Sequence, residues 1–251
     1  MVTYGLIGRG LSHSFSASYF NDKFDREGID ARYMNFDVAD ITELPGVIAT
    51  HPDLKGLNVT TPYKRDVIRY MDELSEEAAA LQSVNVIEIK REQGELLLKG
   101  HNTDSPGFRK TLEGKIGTGD QALIMGTGGA ASAVAHALKQ LGAEYKTVSR
   151  TPDPEKNETG YERMSEILPS ARLLVNATPL GMYPKTEACP PVDLTKIGPD
   201  HIAYDLIYNP AETLFLKRAR ENGAMTINGL QMLINQAELS WQIWNHHGNT
   251  P

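Results

Sequence analysis

The sequence predicts an α/β protein of two domains, and three observations carry that expectation. Short β-type runs alternate with longer helical ones at the spacing of βαβ units. The pattern restarts after the polar stretch Asn102-Thr103-Asp104, where a glycine-rich turn opens a second series. Composition is ordinary for a globular chain: 251 residues, 40% hydrophobic and 23% charged, enough to bury a core in one large domain or two modest ones.

In chain order, Thr3–Ile7 is a short apolar strand ending in Gly8-Arg9-Gly10, and a helical stretch follows from about Ser16 to Glu27. Arg32–Phe36 reads as a second strand. Leu57–Thr60 is a third, ending at Thr61-Pro62, where proline favours an extended or turn geometry before it. Lys64–Met71 and Glu76–Leu81 have helical patterning, and Val84–Ile89 with Glu95–Lys99 form a strand pair around Gln93-Gly94. These strands predict a mainly parallel sheet. In the second series, Ala122–Met125 is an apolar strand and Ala130–Leu141 an alanine-rich helix closed by Gly142. Tyr145–Ser149, Leu173–Asn176 and Ile202–Leu206 supply further strands, and Leu230–Trp244 a packed helix. Thr151–Gly160 and Tyr183–Pro191 read as exposed loops.

Composition also excludes function classes. With 25 Lys and Arg against 32 Asp and Glu, the net charge of −7 argues against a nucleic-acid partner. The single cysteine, Cys189, has no intrachain mate and suits a reducing compartment. The N-terminus lacks the pattern of a signal peptide, and no apolar run approaches the roughly 18 residues that span a bilayer. A soluble, cytoplasmic protein is the expectation. No cluster with metal-ligand spacing is evident, and no metal is expected.

Gly126-Thr127-Gly128-Gly129-Ala130-Ala131 fits G-x-G-x-x-[GA] after a strand and at the start of a helix. Glycines there permit a tight turn and let backbone N–H groups approach a pyrophosphate, whose charge the helix N-terminus favours. A Rossmann-like dinucleotide-binding domain follows, against the blander reading of a tight connection. Arg150 lies 24 positions beyond Gly126, with Ser149 and Thr151 on either side. An acidic residue there would bond the ribose 2′-hydroxyl of NAD, whereas Arg150 suits the 2′-phosphate of NADP. Lys156 is a possible second cation.

The first domain offers polar clusters. In Ser12-His13-Ser14-Phe15-Ser16, the hydroxyls of Ser14 and Ser16 point the same way on an extended backbone and could hold a small carboxylate, although one serine could equally be a helix cap. Asn58 and Thr60 share one strand face, and Lys64 follows the turn. Asp104 is either a helix cap or the partner of Lys64 in a proton-transfer pair beside a hydride acceptor. Spacing alone does not bring those two together.

With these motifs together, the chain resembles the shikimate/quinate dehydrogenase family. Ser14-Phe15-Ser16 is similar to its carboxylate-binding S-x-S, and Asn58-Val59-Thr60 with Pro62 and Lys64 to its N-V-T-x-P-x-K. Asn102-Thr103-Asp104 resembles its N-T-D, Gly126–Ala130 its glycine turn, and Arg150-Thr151 the R-T of its NADP-dependent members. Asn176–Met182 resembles N-A-T-P-x-G-M, Tyr204–Pro210 resembles Y-D-x-x-Y-x-P with Thr213 following, and Gly229, Met232 and Gln236 fall on the final G-x-x-M-L-x-x-Q-A helix. The resemblance implies reduction of 3-dehydroshikimate to shikimate with NADPH in aromatic amino-acid biosynthesis. Lys64 is then the acid/base and Asp104 its partner. Ser14 and Ser16 hold the carboxylate; Thr60, Asn85, Asp104 and Gln236 bond ring hydroxyls, with Asn58 and Tyr208 nearby. Gly126, Gly128, Gly129, Ala130, Ser149, Arg150, Thr151 and Thr178 hold the cofactor, and Gly229 and Met232 line its nicotinamide end. The implied organisation is a substrate domain over 1–103, an NADP domain over 104–228, and a C-terminal helix over 229–251 that packs back toward the first. The expected state is a monomer or homodimer. Ala17, Phe20-Asn21, Val86 and Thr127 depart from the family pattern. A quinate/shikimate dehydrogenase that uses NAD and a non-catalytic dinucleotide-dependent binding protein are the alternatives.

Overall fold

The computed structural model describes residues 1–11 and 14–245, with no account of the Pro154 side chain; Ser12, His13 and 246–251 lie outside the described residues. Its elements are β1 (Val2–Gly8), α1 (Phe15–Glu27), β2 (Ala31–Asp37), α2 (Leu44–Thr50), β3 (Leu54–Val59), β4 (Glu73–Leu74), α3 (Glu76–Leu81), β5 (Val86–Glu92), β6 (Glu95–His101) and α4 (Asp104–Leu112). There follow β7 (Gln121–Met125), α5 (Gly129–Gln140), β8 (Glu144–Ser149), β9 (Glu158–Gly160), α6 (Tyr161–Ile167), β10 (Leu173–Asn176), β11 (Ile202–Asp205), α7 (Leu214–Glu221), β12 (Met225–Ile227) and α8 (Leu230–Asn245). Two compact units are present: 1–103 with 236–251, and 104–235.

In the first unit the sheet order is β2-β1-β3-β5-β6-β4. β1 pairs in parallel with β2 and β3, while β3, β5 and β6 pair antiparallel. β4 joins β6 in parallel, so the sheet is mixed, its antiparallel part built on the hairpin turned by Gln93 and Gly94, both at positive φ. Alternation along the strands divides the core by face. Ile7, Leu57, Val59 and Ile87 pack with Ile41, Leu44, Ile48 and Val67 on one side. Tyr4, Leu6, Tyr33 and Val86 pack with Phe20 and Phe24 of α1 and Ala237 and Trp244 of α8 on the other. The Trp244 ring stacks on Tyr4 with centroids 4.9 Å apart, and its indole N–H donates to the Ile87 carbonyl at 3.1 Å.

The second unit holds a fully parallel sheet in the order β12-β11-β10-β7-β8-β9. That order is the doubly wound arrangement, reversing between β7 and β10. Leu123, Met125, Val148 and Leu174 face a core with Met164, Phe215 and Leu216. Ile124, Val175 and Tyr204 face Phe108, Val134, Leu138 and Met232 on the opposite side.

Two local expectations change. Lys64–Met71 is not an α-helix: the chain turns after β3 and tightens into a 3-10 helix over Asp66–Tyr70. The Thr151–Gly160 segment is only partly an exposed loop. Thr147, Val148 and Ser149 pair with Glu158, Thr159 and Gly160, burying Thr159 through backbone ladder bonds that need no apolar side chain. α2 was not anticipated, because Pro45 and Gly46 conceal the buried Leu44 and Ile48 one turn apart.

Replacing Trp244 with Ala removes a fully buried ring and its hydrogen bond, and should destabilise the protein by about 3–5 kcal/mol. Urea denaturation followed by circular dichroism checks this; a loss below about 1 kcal/mol would contradict the ring's place in the core.

Candidate active site

The polar residues of the first unit gather where β1 and β3 end, beside the start of β5 and the end of β6. The Thr60 N–H donates to the Ile7 carbonyl at 3.0 Å, holding the β3 exit against β1. The Thr61–Pro62 peptide is cis, and the Tyr63 N–H closes the turn onto the Thr60 carbonyl at 3.0 Å. Lys64 comes next, half-buried, its carbonyl accepting from the Val84 N–H at 2.7 Å. That bond ties the lysine backbone to the approach of β5. Asn85 is buried; its Oδ1 accepts from the Thr103 N–H at 2.8 Å and its Nδ2 donates to the Thr103 hydroxyl at 3.0 Å. Asn102 donates from Nδ2 to the Ser83 carbonyl at 2.9 Å.

Ser14 caps α1: its hydroxyl oxygen accepts from the Ala17 N–H at 3.3 Å. The capping role is therefore real, and it leaves the O–H proton of Ser14 to donate elsewhere. Ser16 is half-buried one residue into the helix. Asn58 engages Tyr33, Ser240 and the Asn85 carbonyl, and Gln236 is half-buried on α8.

In the second unit, β7 leads into Gly126 at φ 115°, a conformation that favours glycine. A Cβ at Gly126 would also press on the Ala177 carbonyl beyond β10. Gly128 and Gly129 are exposed, a Cβ on either would meet nothing within 4 Å, and Gly128 caps α5 without a side-chain hydrogen bond. Uncapped N–H groups behind an open glycine surface fit the pyrophosphate of a dinucleotide. Ala130 is exposed in the first turn of α5. Register sets Val148 beside Met125, so Ser149, Arg150 and Thr151 leave β8 next to the Gly126 turn. Arg150 and Thr151 are exposed, and the Ser149 hydroxyl accepts from the Thr151 N–H at 3.2 Å. Lys156 pairs with Asp153 at 3.0 Å, which ties up the second cation within its own 3-10 turn.

Asp104 opens α4, buried, where the helix N-terminus favours a negative charge. Tyr208 is exposed after β11. Gly229 is buried with its N–H donating to the Ile207 carbonyl at 3.1 Å, and a Cβ there would collide with the Leu206 carbonyl. Met232 is 7% exposed and packs in the apolar core beside Ile124 and Tyr204. Among the described residues no group of three or more His, Cys, Asp or Glu could hold a metal ion, and no helix is long and apolar enough to cross a membrane.

Residues 6–87 match the model of the shikimate dehydrogenase substrate binding domain, and residues 90–187 that of the D-isomer specific 2-hydroxyacid dehydrogenase, NAD binding domain. The chain is 40% identical to the shikimate dehydrogenase (NADP(+)) of Carboxydothermus hydrogenoformans over 96% of this chain and 90% of that protein. The chain belongs to the shikimate dehydrogenase family. The crystal structure of a chorismate mutase/shikimate 5-dehydrogenase fusion protein from Clostridium acetobutylicum is similar with a TM-score of 0.88 at 37% identity, over 98% of this chain and 91% of that one. The shikimate 5-dehydrogenase of Thermus thermophilus, solved with NADP(H) and shikimate, is similar with a TM-score of 0.84 at 31% identity, over 100% of this chain and 96% of that one.

Apart from Thr127, the departures from the shikimate dehydrogenase pattern fall on packing positions. Phe20 is buried and stacks on Tyr33 at 4.8 Å, and Val86 is buried in the same cluster with Ala17 against its edge. Asn21 clamps the Tyr33 backbone at both its N–H and its carbonyl. Thr127 is exposed in the glycine turn.

One buried polar network was not anticipated as part of the site. Asn176 and Asp205 end the neighbouring strands β10 and β11, both 0% exposed. Asn176 donates to both Asp205 oxygens at 3.1 Å, Thr213 donates at 2.6 Å, and the Ile207 N–H at 3.0 Å. Burial raises the Asp205 carboxyl above its ordinary value, while these donors act against the shift. Asn176 Oδ1 in turn accepts from the Thr178 hydroxyl at 2.6 Å and its N–H at 3.0 Å, so the network sets the Thr178 loop. Its signal in the sequence is a polar residue closing each of two apolar strands.

Replacing Asp205 with Ala leaves those buried donors without an acceptor and should cost about 1–3 kcal/mol. Chemical denaturation measures the loss, and an unchanged midpoint would contradict the assigned network.

Proposed function

We propose that the protein is an NADP-dependent shikimate dehydrogenase, interconverting 3-dehydroshikimate and shikimate by reversible hydride transfer. The observation that carries this reading is the relationship, over 96% of the chain, to an enzyme named shikimate dehydrogenase (NADP(+)). In this reading the first unit holds the substrate and the second the cofactor. When bound, NADPH supplies the hydride. The exposed Gly128-Gly129 surface and the α5 N-terminus receive its pyrophosphate, Thr178 lies along its path, and Arg150 with Ser149 and Thr151 receives the 2′-phosphate. Gly229, with no room for a side chain, keeps the start of α8 close to the backbone after β11.

On the substrate side, Ser14 and Ser16 donate to the carboxylate, and Thr60, Asn85 and Gln236 bond ring hydroxyls, with Tyr208 nearby. Neutral donors suit a polyhydroxy acid, because they bind both carboxylate and hydroxyls without the desolvation cost of a further buried charge. Lys64 gives its proton to the ketone oxygen as the alkoxide develops, and takes it back when shikimate is oxidised. Asp104 orients the ammonium. The rigid turn between Thr60 and Lys64, fixed by the Val84 bond, supports delivery of that proton at one position. A cytoplasmic location accompanies this reading.

Incubation with shikimate and either NADP⁺ or NAD⁺, followed by the absorbance of reduced nicotinamide, tests it. Turnover with NADP⁺ is expected; none in a folded protein overturns the proposal, and comparable turnover with NAD⁺ or quinate moves it to the broader dehydrogenase. Lys64→Ala should lower kcat by roughly two to four orders of magnitude. Arg150→Ala should raise KM for NADP⁺ by roughly ten- to a hundredfold, the worth of a charge-assisted hydrogen bond, and leave NAD⁺ use little changed.

A further inference from the structure

Tyr33 lies on β2, separated from β3 by β1, on the sheet face covered by α1 and α8. Strands lie about 4.8 Å apart, so reaching β3 from β2 takes about 10 Å. Tyrosine and asparagine cover that distance together: the Tyr33 hydroxyl donates to Asn58 Oδ1 at 2.8 Å. Beyond Asn58, its Nδ2 donates to the Ser240 hydroxyl at 2.9 Å and to the Asn85 carbonyl at 3.3 Å. Ser240 donates to the Gln236 carbonyl one turn earlier in α8, at 2.8 Å. A single chain of hydrogen bonds therefore runs Tyr33–Asn58–Ser240–Gln236, with a branch to Asn85.

We propose that Tyr33 and Ser240 are positioning residues for the substrate site, two buried hydroxyls that hold Asn58, Asn85 and Gln236 in one arrangement before substrate binds. The proposal rests on the reading of these residues as the shikimate-binding set. Packing alone does not account for either hydroxyl. A phenylalanine would keep the stack of Tyr33 on Phe20 without burying a polar atom, and burial of a hydroxyl is costly unless it is bonded. Ser240 is 0% exposed in a helix interior, where alanine is the better helix former and a bond back to the preceding turn gives no helix stability. Both hydroxyls converge instead on Asn58. Its oxygen faces a donor and its amide group two acceptors, so the amide has one orientation. Asn58 thus serves as the keystone of the arrangement more than as a contact of the substrate. Burial holds the Tyr33 phenol well above its ordinary ionisation range, so it stays a donor.

Steady-state kinetics of Tyr33→Phe, Ser240→Ala and the double variant, with shikimate and NADP⁺ varied separately, test the proposal. KM for shikimate should rise roughly five- to tenfold in each single variant, while kcat and KM for NADP⁺ stay within about twofold of wild type. The double variant should show less than the product of the two, because both act through Asn58. An unchanged KM for shikimate in both folded variants overturns the proposal. So does a parallel rise for substrate and cofactor with a lowered melting temperature, which marks general loosening. If Tyr33→Phe does not fold, Ser240→Ala carries the test alone. A folded wild type that does not turn over shikimate overturns the functional reading first and this one with it, whereas an active wild type with unmoved variants overturns this one alone.

Discussion

A strand hydrogen-bonded in parallel on both sides has no short route back to its neighbour, so its loops must leave from the ends of the sheet. In the second unit this constraint aligns β7, β8, β10 and β11, with Met125, Val148 and Asn176 in register and Asp205 beside Asn176. The glycine turn, the Arg150 segment, the Thr178 loop and the Tyr208 loop then issue from one edge. The first unit uses the same device more sparingly. Only β1 and β3 among the strands flanking its polar cluster run in parallel, and the antiparallel hairpin of β5 and β6 brings Asn85 and Thr103 to the same end.

Asn58, Asn85, Asn176 and Asp205 at these strand ends are buried or half-buried where a sheet normally places apolar residues, and each is matched by partners of the opposite kind. Asn58 and Asn176 solve the problem alike: each amide oxygen faces donors and each amide nitrogen faces acceptors. Such pairing contributes little net stability compared with apolar packing, but it discriminates sharply between the native arrangement and near misses, in which a buried group would be left unsatisfied. The sequence places these residues next to the chemistry and fills the remaining core with Leu, Ile, Val and Phe.

Much of the fold was legible because period and punctuation agreed. Gly126 follows four apolar residues and precedes an alanine-rich helix, so turn and elements identified one another. Arg150 was legible for a related reason: it lies just past a strand end, at a fixed distance along the chain from the turn it neighbours in space. The hidden parts depend on contacts that periodicity does not encode. β9 pairs through its backbone, so Glu158-Thr159-Gly160 carried no apolar signal. Lys64–Met71 has helical spacing, but the tight turn before it and the bond from Val84 leave room only for a 3-10 segment. Tyr33 and Asn58 meet only because β1 intervenes between β2 and β3, and strand order is invisible to a local reading. Family resemblance supplied ligand-side roles for Asn58 and Met232; the fold engages the first with protein hydrogen bonds and the second with the apolar core.

Both tryptophans of the sequence, Trp241 and Trp244, lie on α8 within the first unit, one against Phe24 and the other beneath Tyr4. The second unit contains none. The chain therefore carries an optical label on one half only: indole emission reports the state of the unit proposed to hold substrate, while the unit proposed to hold the cofactor has only tyrosines to emit. Unfolding traced by indole fluorescence and by far-ultraviolet circular dichroism would coincide if the two units melt as one cooperative body and separate if they do not. The distribution of two residues thus makes the coupling between the halves measurable without any added probe.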